Sequence, residues 1–173
     1  LSPLQQGMLF HHLEAQVPGV DVEQLEVEFN EPIDANLLAR AWAIVAAQHP
    51  ILLTRFSWKD LRTPVQEVLT DVRVPFEVRD LSALSQANQL ATLSAFLTED
   101  RLTALPLDQA PLWRVTLFNL GPNRHHLVFT YSHAILDSCF AFVVQEVMDA
   151  YAALIRGEQP SFAERPPYRD FIA

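Results

Sequence analysis

The sequence predicts an α+β fold, a mixed α/β sandwich with helices packed on a mixed sheet. Helical and strand periodicities are interleaved along the chain, which excludes an all-α or all-β architecture. Hairpins set by turn chemistry outnumber βαβ crossovers. Half of the 173 residues are hydrophobic, enough for one core, so a single domain is the default.

Taken in order, residues 1–13 read as a helix. Ser2 suits the N-cap, Pro3 the first helical position, and Gln5 completes a capping box with Ser2. His11 and His12 point about 100° apart on that helix and cannot share one metal in the usual i, i+4 manner. Pro18-Gly19 forms a turn. Residues 24–30 alternate, with Leu25, Val27 and Phe29 on one face and Glu26 and Glu28 on the other, so a half-buried strand is expected. Asp34 caps the next helix, whose Leu37, Leu38, Ala41, Trp42 and Val45 form one stripe. His49-Pro50 ends it, because the residue before proline avoids the α region.

Residues 51–58 are expected as a strand paired with 64–69 across a turn near Asp60. From 81 to 105 the spacing of Leu84, Leu90, Leu93, Phe96, Leu97 and Leu102 favours helix. Strands at 112–120 and 125–132 flank Gly121-Pro122-Asn123, a hairpin turn. A helix over 140–156 closes at Gly157, a natural C′ residue. We therefore expect a lobe over 1–159. Residues 160–173 are then a proline-rich connector and the start of a second lobe.

Composition narrows the chemistry. The net charge is −9, from 12 basic and 21 acidic residues, with no basic cluster, which argues against nucleic-acid binding. No apolar run is long enough to span a bilayer. The lone Cys139 excludes an internal disulfide framework, reads as a small core residue, and fits a soluble cytoplasmic protein.

The chemistry centres on Tyr131-Ser132-His133-Ala134-Ile135-Leu136-Asp137-Ser138, where a buried strand meets a helix. A Ser132-His133-Asp137 triad is disfavoured, because neighbours on a strand project to opposite faces. His133 and Asp137 give too few ligands for a metal site. What survives is one imidazole that accepts a proton or holds a tetrahedral intermediate. Asp137 is expected either to hold the loop by an ion pair, with Arg114 or Arg55 as candidates, or to cap the helix that begins at Phe140.

At this point several ordered stretches resemble the N-terminal half of a condensation domain of nonribosomal peptide synthetases, a relative of chloramphenicol acetyltransferase. Residues 1–11, from Leu1-Ser2-Pro3 to Phe10-His11, resemble that family's opening motif, and His49-Pro50-Ile51-Leu52-Leu53-Thr54-Arg55-Phe56 its second. Pro111-Leu112-Trp113-Arg114 and Pro167-Tyr168-Arg169-Asp170-Phe171 match further stretches. Residues 132–138 fall on its His-His-x-x-x-Asp-Gly signature, with Ser132 for the first histidine and Ser138 for the glycine. Gln48 and Leu53 replace the two arginines of the second motif.

The resemblance implies one chloramphenicol-acetyltransferase-like lobe of a two-lobed domain. It implies amide-bond formation between a carrier-bound donor thioester and an acceptor amine, with His133 catalytic. It also implies a substrate tunnel, for which Gln5, Met8, His11 and Tyr131 are the candidates. No cofactor is expected on the lobe itself, the substrates riding on phosphopantetheine of the donor and acceptor peptidyl carrier proteins. The other expected partners are the C-terminal condensation lobe and adjacent adenylation or carrier domains. The alternatives are a non-catalytic docking module, an ester-forming or cyclising member, and a dual epimerisation/condensation variant.

Overall fold

The structure is a computed structural model that describes residues 1–15, 19–137 and 139–162. The expected roles of Ser138 and of the segment 167–173 lie outside the described residues. Four strands form the main sheet in the order β1-β6-β5-β4. Helix α1 (Pro3–Glu14) precedes β1 (Val22–Phe29), and α2 (Ala35–Gln48) follows it. The Ser2–Gln5 capping box is present in full, and the Asp34 carboxylate accepts from the amides of Asn36 and Leu37 at the start of α2. Each bond satisfies an amide that the first helical turn leaves without a partner.

The segment expected as one strand from 51 to 58 divides. Pro50–Leu53 forms a 3-10 turn, and only Thr54–Ser57 is strand, β2. The Leu52 side chain is buried there, and its carbonyl accepts the Trp113 indole N–H at 2.8 Å, so packing against the sheet overrides the local strand pattern. β2 pairs antiparallel with β3 (Val65–Val68) as a separate two-stranded sheet, and Asp60 takes φ 60° in the connection between them.

β4 (Phe76–Asp80) is an addition to the expected strands. It is a five-residue sheet edge with mostly exposed side chains, including Glu77, Arg79 and Asp80; Phe76 and Val78 do alternate with Glu77 and Arg79, but the run is short and follows Pro75 directly. It runs parallel to β5 (Trp113–Gly121), and α3 (Gln86–Leu102) makes the crossover between them. The inward face of α3 also differs from the leucine spacing. Gln89, Leu93, Phe96 and Asp100 are buried, whereas Leu84, Leu90 and Leu102 are exposed.

β5 and β6 (Arg124–Ser132) form the expected hairpin, and β6 also pairs antiparallel with β1. Side-chain alternation along β5 and β6 sends Val115, Leu117, Leu127 and Phe129 into the core shared with α2 and α4 (Phe140–Ile155). Phe118 and Val128, on the other face, meet Leu93 and Phe96 of α3. Helices therefore cover both faces of the sheet, as a mixed sandwich requires. Gly157, at φ 73°, terminates α4 where a β-carbon would be disfavoured. No helix among the described residues is long and apolar enough to cross a membrane.

Candidate active site

The β1–β6 ladder ends at the pair Val22 and Ser132, so His133 is the first residue beyond it. Its amide donates to the Asp21 carbonyl at 2.7 Å, one step past the last paired residue of β1. The chain then turns sharply, and the Ser132 carbonyl accepts from Ile135 at 3.1 Å. Ala134, Ile135 and Leu136 are buried in the core beneath the turn and anchor it by apolar packing. That packing leaves His133 half-buried and Asp137 exposed. Among the described residues the His133 ring has no hydrogen-bond partner, and Asp137 is the charged group that it feels.

Ser132 is fully buried, and its hydroxyl has work unconnected with nucleophilic attack. Oγ donates to the Asp21 carboxylate at 3.1 Å and accepts from the Ala134 amide at 3.2 Å. Asp21 also receives His12 Nδ1 at 3.1 Å. Serine, aspartate and histidine are thus close together, but the carboxylate stands between the other two. The imidazole cannot take the serine proton, and a buried hydroxyl cannot reach a substrate.

Asp137 does not meet either expected arginine. Arg114 lies opposite Thr130 in the β5–β6 register and projects toward α3, where Nε donates to Asp100 at 2.6 Å. Arg55 donates to Glu67 at 2.7 Å across the β2–β3 pair. The Asp137 carboxylate instead accepts the Cys139 amide at 3.0 Å, so the loop is held by a local turn. Cys139, not Asp137, is the N-cap residue of α4, and it makes no side-chain capping bond. The Cys139 hydrogen bonds are the main reason that the Asp137 carboxyl lies below the usual carboxylate range, and the nearby His133 adds a smaller pull in the same direction. Asp137 in return pushes the Cys139 thiol up. That cysteine is exposed at the start of α4, contrary to its reading as a core residue.

The four tunnel candidates part company. Gln5 is buried and committed. Its carbonyl oxygen accepts the Ser2 amide, and its amide donates to Gln66 of β3 at 3.0 Å. Tyr131 belongs to the aromatic core, stacked on Phe140 at 5.8 Å between centroids and tilted against Phe129 at 5.0 Å. Burial is the main cause that pushes its phenol up. Met8 packs partly buried against the same core, and His11 is exposed with its ring edge-on to Phe10. Alternation on a strand and capping chemistry on a helix fix Tyr131 and Gln5 inward, which leaves Met8 and His11 as the candidates with open faces.

Two residues that sequence reasoning left out of the candidate site gather several donors among the described residues. One is Asp21. The other is Asp100, which accepts from Arg114, from Gln24 at 2.7 Å and from Thr130 at 2.6 Å. Each is an acidic residue whose partners come from distant segments, and only the inward-facing position of Asp100 on α3 carries a sequence signal.

Comparison with known proteins places this arrangement. A model of the condensation domain matches residues 1–173. The chain is 37% identical over 174 residues to a linear gramicidin synthase of Brevibacillus parabrevis, covering 100% of this chain and 3% of that protein. It is 27% identical over 173 residues to bacitracin synthase 1 of Bacillus licheniformis, covering 99% of this chain and 3% of that one. The chain thus spans a small part of the length of the curated relatives it matches. Among solved structures, the first condensation domain of the CDA synthetase has a TM-score of 0.88 at 22% identity, over 99% of this chain and 43% of that chain. The starter condensation domain of rhizomide synthetase RzmA gives 0.86 at 22% identity, over 99% and 41%. A sandwich of this topology, a histidine just past the β6 strand end and a family match along the whole chain agree: this chain belongs to the condensation-domain family.

Proposed function

We propose that residues 1–159 are the N-terminal lobe of a catalytic condensation domain, with His133 as its catalytic residue, and that 160–173 lead into a second lobe. The observation that carries this reading is the state of His133. Ser132 and Asp137 are committed to hydrogen bonds within the turn and its neighbouring strand, while the His133 imidazole is half-exposed and has no hydrogen bond among the described residues. A group held in place by its backbone but free at its ring is what general-base assistance needs.

The substrates are an acyl thioester and an amine, each on the phosphopantetheine arm of a carrier protein. The acceptor nitrogen attacks the thioester carbonyl carbon, a C–N bond forms and the C–S bond breaks. Neutral His133 takes the proton from the attacking nitrogen and returns it to the departing thiolate, so the products are an amide and a free thiol. An α-amino group has a reference pKa near ~8, so some assistance with its proton is needed at neutral pH. The reading places the enzyme in the cytoplasm, beside carrier and adenylation domains, and makes the isolated lobe inactive because one lobe presents only one wall of the site.

The test is His133→Ala in the complete condensation domain. Single-turnover transfer between loaded carriers should fall about 10²-fold or more, with carrier binding and the unfolding midpoint nearly unchanged. Unchanged transfer would remove the catalytic assignment and leave a docking module.

A further inference from the structure

We infer that Asp21 is the positioning residue for His133, gripping the peptide groups on both sides of its Cα; the inference rests on the function proposed above. The direction of a Cα–Cβ bond is set by the two peptide planes that flank it. At His133 both planes lead to Asp21. The plane before His133 donates its N–H to the Asp21 carbonyl at 2.7 Å. The plane after it donates the Ala134 N–H to Ser132 Oγ at 3.2 Å, and that hydroxyl is oriented by its own bond to Asp21 Oδ2 at 3.1 Å.

The carboxylate is itself held. His12, at the end of α1, brings Nδ1 to the same oxygen at 3.1 Å, so two donors from different elements fix its rotamer. The imidazole has no hydrogen bond of its own among the described residues. Its position therefore depends on the backbone, and the two peptide groups that flank its Cα both lead to Asp21, beside the core packing of Ala134, Ile135 and Leu136 that anchors the turn. Ser132 carries part of that support as a relay, which gives the buried serine a role that its hydroxyl geometry requires.

The experiment uses the complete condensation domain with loaded carriers. Asp21→Ala keeps the main-chain bond and removes both side-chain ones, and should lower the single-turnover rate about ten-fold while the half-saturating carrier concentration stays unchanged. Asp21→Asn, which still offers an oxygen to Ser132, should recover to within about three-fold of the parent. In a His133→Ala background, Asp21→Ala should produce no further loss. Should Asp21→Ala fail to fold, Ser132→Ala removes the relay alone and should give the same fall and the same lack of effect without His133. An equal loss with and without His133, a weaker carrier affinity at unchanged rate, or an asparagine no better than alanine would overturn the inference. If His133→Ala itself leaves transfer intact, the proposed function fails instead, and the two failures are told apart by that single variant.

Discussion

Two aspartates collect donors in this lobe, and they do different things. Asp100 is 6% exposed and lies under the sheet, where it ties α3 to β1, β5 and β6 through Gln24, Arg114 and Thr130. Arg114 Nη2 additionally donates to the Asp100 and Thr103 carbonyls, closing the end of the helix. Asp21 lies at the open end of β1, partly exposed, with longer bonds to a histidine and a hydroxyl. The first is a buried charge whose every partner is needed to offset its desolvation. The second is a lighter support beside His133, whose ring has no hydrogen bond among the described residues. The same chemistry makes a lock where three segments converge on one carboxylate at short range and a lighter support where two donors meet it at longer range.

Breaking the lock should have the largest effect. Asp100→Ala leaves the Arg114 guanidinium without its carboxylate in a site where little solvent reaches it, and should cost about 3–5 kcal/mol of unfolding free energy by urea denaturation. Replacing Asp100 and Arg114 together by leucine and methionine should recover most of that loss. A single-variant loss below about 1 kcal/mol would erase the distinction, because that is the scale of an exposed pair.

Ser132→Ala should come next, at about 1–3 kcal/mol, since it strands the buried Ala134 amide. His12→Ala should cost less, about 1 kcal/mol in the same titration, because Asp21 keeps the Ser132 hydroxyl as a donor when the imidazole is removed. A His12→Ala loss as large as that of Asp100→Ala would mean that the strand end is a second lock.

The smallest effect should be at Asp137, and pH makes it visible. Its folded-state carboxyl lies below the ordinary range, mainly because the ionised form accepts the Cys139 amide. Its stabilising contribution is therefore present above the ordinary carboxylate pKa and lost as pH falls through the lowered value. The melting temperatures of the parent and Asp137→Ala should differ at pH 7 and converge in strong acid. A gap of constant size across that range would show that the turn does not depend on the carboxylate charge.

Much of the architecture is written in local chemistry. The capping residues Ser2 and Asp34, the alternation of β1, the β5–β6 hairpin and Gly157 all act within a few residues, so periodicity and turn preference reveal them. The placement of His133 past a buried strand follows from the same signals, as does the separation of Ser132 from His133. What the sequence could not show depends on which segments meet. Arg114 faces α3 and not Asp137, because the β5 register and the α3 crossover carry it there. Residues 50–53 turn and do not extend, because Trp113 captures the Leu52 carbonyl across sixty-one positions of chain. Gln5 and Tyr131 point inward, and Asp21 reaches Ser132, because strand pairing across 111 positions brings them together. Local patterns report on the side chain's own turn or strand, whereas the partner of a charge is chosen by topology, and only the packed sheet decides that.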